Sequence, residues 1–165
     1  MWDIGSGLSA FLGVVAGGAI SIAGQWQARR ALVASEMLAR RHQIEDRRVA
    51  THEEAVIAAY EFDEAARVLY DGQAPDDVDR QAREAYLAAW ADLNRKKAPA
   101  MLAGPQIVSN ALKEMSVAAG EYSRRLDAWL DGSRWTQADD ELLKAFRNCR
   151  EAYEKTAQER LSLKD

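Results

Sequence analysis

The sequence predicts an all-α protein: a single N-terminal transmembrane helix that continues into, or is followed by, a cytoplasmic helical bundle with a long first helix. Three observations point there. No charge interrupts residues 4–28, between Asp3 and Arg29; neither proline nor glycine occurs between Arg29 and Asp71; and no stretch alternates apolar and polar residues as a strand would. At 165 residues the chain has room for one anchor and one modest domain, divided as residues 1–26 and 27–165.

Residues 4–25 read IGSGLSAFLGVVAGGAISIAGQ. A helix of about 20 apolar residues crosses about 30 Å of hydrocarbon. A buried helix of a soluble domain would usually show a polar face, whereas the only non-apolar residues of the central stretch are glycine and serine. A cleaved signal peptide would carry positive charge ahead of its apolar core, and here the arginines follow it. Trp2 and Trp26 stand at the two ends, the depth at which interfacial aromatic rings anchor a span. Arg29 and Arg30 lie just beyond, within reach of anionic lipid headgroups, where each cation gains on the order of 1 kcal/mol. The same arginines orient the span, placing the N-terminus outside and the C-terminus in the cytoplasm.

Gly13 and Gly17 form a G-x-x-x-G pair, which Ser21 and Gly24 extend along one side. Small residues at this spacing let two helices pack backbone to backbone, so the span is expected to associate with a second copy in the bilayer.

The first cytoplasmic helix is expected over about 27–70, rich in Ala, Leu, Glu and Arg. Its apolar positions are Leu32/Val33, Met37/Leu38, Ile44, Val49, Val56, Ala59/Tyr60, Ala66 and Leu69/Tyr70. Spacings of three, four and seven give a helix face that needs a partner. Asp71–Asp77 marks a turn, and Asp76 or Asp77 is placed to cap a second helix over about 77–97. That helix carries Val78, Ala82, Tyr86, Trp90 and Leu93, and Pro99 is expected to end it. A third helix, about 105–130, has an apolar side from Val108 to Trp129 and stops at Asp131-Gly132. The fourth, about 137–162, opens on Thr136 and Asp139 at capping-box spacing and carries Phe146, Cys149, Tyr153 and Ala157 on one side. Four helices with short connections favour a bundle.

Charge is distributed unevenly. Residues 27–50 hold six arginines against three acids, and residues 51–93 hold eleven acids against three arginines. Arg40, Arg41, Arg47 and Arg48 are therefore candidates for a protein interface; Trp135, which lies in the turn DGSRWTQ outside any apolar stripe, is expected either to cover the bundle end or to contact a partner. No aromatic platform accompanies the arginines, so nucleic acid is not an expected partner.

Little in the sequence points to catalysis. His42 and His52 lack the glutamate three positions earlier that a di-iron motif needs, and no phosphate-binding loop, zinc spacing or calcium loop is present. His42 and Asp46, four apart, read as a surface pair. Cys149 lies on an apolar stripe, where burial is the ordinary outcome. The adjacent acids Glu53/Glu54, Asp63/Glu64 and Asp139/Asp140 read as solvated surface. The expectation is no enzyme, no metal and no cofactor. The functional expectation is a membrane-anchored, self-associating scaffold or adaptor that presents a cytoplasmic surface to a protein partner. The alternative is an oligomeric pore or membrane-perturbing effector assembled through the glycine-rich helix, with Ser6, Ser9 and Ser21 the only hydroxyls available to wet a lumen.

Overall fold

The computed structural model describes the backbone over residues 5–70 and 74–161, and side chains from residue 27 onward apart from residues 71–73, 77 and the last four. The described residues form four α-helices and one 3-10 turn, with no strand among them: α1 (Gly5–Tyr70), the turn Pro75–Asp77, α2 (Arg80–Ala103), α3 (Gln106–Leu130) and α4 (Gln137–Leu161). The chain divides into two units, residues 1–45 and 46–165. No helix among the described residues is long and apolar enough to cross a membrane. The stretch expected to do so, with Trp2, Gly13, Gly17, Ser21, Gly24 and Trp26, lies outside the residues whose side chains are described.

In the larger unit the second part of α1 supplies Ala55, Ala58, Ala59, Phe62, Ala66 and Leu69 to the core. Phe62 is central. Its ring lies 6.0 Å from Tyr86, 5.2 Å from Trp90, 6.1 Å from Tyr122 and 5.5 Å from Phe146, which brings α2, α3 and α4 around one side chain. Alanines at the neighbouring core positions leave room for that approach, so one large ring among small residues sets how near the helices come. α3 follows the expected pattern closely: Val108, Leu112, Met115, Ala119, Tyr122, Leu126 and Trp129 are all buried.

Helix ends show the same local logic. α3 closes in a Schellman motif, in which Ser133 N–H donates to the Ala128 carbonyl at 2.9 Å and Gly132 N–H to that of Trp129 at 2.9 Å. Gly132 has φ +93, a conformation that costs other residues a steric clash. Ahead of α4, Thr136 N–H donates to Asp139 Oδ2 at 2.6 Å, which is the carboxylate half of a capping box. The Thr136 hydroxyl turns to the same carboxylate at 2.9 Å.

Two expected boundaries are corrected. α2 begins later, at Arg80, because Pro75–Asp77 forms its own 3-10 turn; Asp79 takes the N-cap position without a side-chain bond to the helix. Nor does Pro99 end α2, which continues to Ala103. Pro99 is exposed while the next residue, Ala100, is fully buried. The ring therefore meets solvent, and packing of Ala100 holds the last turn. Ser109 of α3 adds a hydrogen bond to the Met101 carbonyl at 2.9 Å, satisfying one of the acceptors that a helix end leaves open.

Candidate functional site

In the smaller unit, the described part of α1 presents its apolar residues to solvent. Leu32, Val33, Met37, Leu38 and Ile44 are between 49% and 61% exposed, and the arginines beside them are exposed too. Val33, Met37 and Ile44 are spaced by four and seven, which places them on one side of the helix. Arg29 and Arg30 flank a shallow depression with Val33, Ala34 and Met37. Arg29, Arg30, Arg40, Arg41, Arg47 and Arg48 are all exposed, as are His42 and Asp46. An apolar stripe edged by cations is suited to a partner that offers apolar contact and acidic groups together.

The larger unit holds the polar groups that the sequence reading placed elsewhere. Asp63 is not solvated surface. It is 8% exposed and accepts bonds from Arg147 Nε at 3.1 Å to each oxygen and from Arg150. Arg150 is 7% exposed and lies over the Tyr60 ring at 4.0 Å, a cation–π contact, while the Tyr60 hydroxyl donates to Glu154 at 2.7 Å. This network joins α1 to α4. Asp139 is likewise buried. It is paired with Arg125, whose guanidinium, together with the bonds from Thr136, holds its carboxyl below the usual range. Local reading conceals the pairing of Asp63, because its partners are 84 and 87 residues away.

Trp135, expected as either bundle cover or interface, is half-buried. Its ring lies 4.3 Å from Tyr70 and 6.4 Å from Trp129, and its Nε1–H donates to Asp140 at 2.9 Å. It covers the bundle end at the α3–α4 turn. Cys149 is half-buried rather than buried; desolvation first, and then Glu114, pushes its thiol pKa up, away from the reactive thiolate. The full burial expected at Cys149 falls to its neighbour, Arg150.

His52 was missed altogether. It is 1% exposed, with Nδ1 2.8 Å from the Tyr153 hydroxyl. One signal was available: His52 stands in the apolar stripe midway between Val49 and Val56, at positions i+3 and i−4. Burial lowers its pKa.

No protein-family model, curated protein or solved structure matches this chain.

Proposed function

We propose that the protein is a membrane-anchored, self-associating helical scaffold whose α1 residues 27–45 form a cytoplasmic surface for a protein partner. The observation that carries the reading is the exposure of Leu32, Val33, Met37, Leu38 and Ile44 beside the exposed Arg29, Arg30, Arg40 and Arg41. An isolated helix gains little from propensity alone, and burying each large apolar side chain is worth about 1.5–3 kcal/mol, so an uncovered stripe favours association. The anchor rests on residues 4–25, a charge-free stretch of spanning length followed by Arg29 and Arg30. The small residues Gly13, Gly17, Ser21 and Gly24 support contact between copies inside the bilayer. The acidic surface of residues 51–93 on a neighbouring copy is one chemically suited counterpart for the arginines.

The test is the mass by light scattering, with detergent subtracted, of two forms: the full chain and residues 27–165. Assembly in both assigns association to the cytoplasmic helices. Assembly in the full chain alone would assign it to the small-residue face of residues 13–24 and overturn the part given to the α1 stripe in self-association. Monomers in both would overturn self-association.

A further inference from the structure

Independently of any anchor, the bundle contains a buried histidine whose surroundings suit only its neutral form. His52 of α1 is 1% exposed. Its Nδ1 faces the Tyr153 hydroxyl of α4 at 2.8 Å, and that hydroxyl also lies 3.4 Å from the His52 carbonyl. Its Nε2 is buried with no hydrogen-bond partner among the described residues. Behind Nε2 stands the turn between α2 and α3. A Cβ added at Gly104 would lie 2.5 Å from Nε2 and 2.9 Å from Cε1, so this turn closes on the ring because residue 104 has no side chain.

Neutral imidazole fits this arrangement. If the ring proton is on Nδ1, it donates to the Tyr153 oxygen, the tyrosine hydroxyl turns to the His52 carbonyl, and Nε2 keeps a bare lone pair. Imidazolium does not fit, since both nitrogens must then donate and the Nε2–H meets the Gly104 turn with no acceptor, in a site that also desolvates the charge. The titratable and charged groups nearby are few. Tyr153 faces the ring from α4; Glu53 of α1 and Glu154 of α4 line the adjoining cavity of about 280 Å³ without bonding the ring; Gly104 and Val108 contribute none from the α2–α3 side.

We propose that His52 is an acid-sensitive latch: its protonation releases the end of the bundle where α1, α4 and the α2–α3 turn meet. Because the closed form holds imidazole neutral, it is favoured at neutral pH and loses that advantage as pH falls below the ordinary histidine value of 6.5. With one proton linked to opening, the opening constant rises by up to about tenfold for each pH unit of acidification in that window.

His42 is the only other histidine, so His42→Asn in the full chain leaves one imidazole to follow by NMR with ring-labelled histidine. The expected result is a His52 titration below 6.5, accompanied by faster amide exchange around residue 52 of α1 and residue 153 of α4. A titration at 6.5 or above, or exchange in both helices that ignores acid, would overturn the latch. His52→Gln provides a second readout, because the non-titrating side chain is expected to abolish the acid dependence of exchange. Undiminished acid opening in that variant would also overturn the proposal, and should it fail to fold, the His42→Asn titration decides alone.

Discussion

Two stretches of α1 share one chemistry and differ in what covers them. Residues 27–45 and residues 55–70 both place apolar side chains at helical spacings of three, four or seven in an alanine-rich, proline-free helix. In the second stretch Ala55, Ala59, Phe62, Ala66 and Leu69 are 0% exposed, because α2, α3 and α4 surround Phe62. In the first, Val33 is 49% and Met37 61% exposed. The difference teaches that helical periodicity reports the wish for a partner and not its identity. One stretch finds its cover within the larger unit, while the other stands exposed.

The sharpest way to break this comparison is to damage each stretch separately. Phe62→Ala removes the ring shared by three helices and is expected to destabilise the bundle by about 3–5 kcal/mol, read from the denaturant midpoint. A loss below about 1 kcal/mol would mean that the core closes without it. Asp63→Ala leaves Arg150 buried without its carboxylate and is expected to cost about 3 kcal/mol in the same measurement, since removing one partner strands the other charge. Asp139→Ala removes a helix cap and an ion pair, for an expected loss of about 1–2 kcal/mol.

The Asp139 carboxyl also predicts a pH dependence. Its folded pKa is depressed, so the carboxylate contributes stability above the ordinary value of 3.8, and that contribution fades as pH falls below it. Between pH 5 and pH 2.5, Asp139→Ala should therefore lose less stability than the native chain. At the small end, Gly132→Ala forces a side chain into φ +93 and is expected to cost about 1 kcal/mol.

Much of the fold was legible because it is local. The α3 stripe, the stop at Asp131-Gly132 and the Thr136–Asp139 spacing each depend on neighbours within a turn or two, and each forms as its residues suggest. What escaped depends on distant contacts. Pro99 reads as a stop, but Ala100 is buried and Ser109 binds the Met101 carbonyl, so tertiary packing carries α2 past the proline. Asp63 reads as surface because its partners, Arg147 and Arg150, stand on the last helix. His52 was hidden for the same reason, its hydrogen-bond partner being Tyr153, 101 residues on. Of the candidate interface residues, Arg40, Arg41, Arg47 and Arg48 are exposed, whereas Trp135 belongs to an aromatic cluster with Tyr70 and Trp129.

The most direct test of the account is the mass of the full chain, in mild detergent, after Val33, Met37 and Ile44 are all changed to serine. The expected result is a smaller assembly than the native chain forms, with the bundle's denaturant midpoint unchanged because none of the three side chains belongs to the core. A native-sized assembly, or a bundle that loses stability with these three residues, would contradict it.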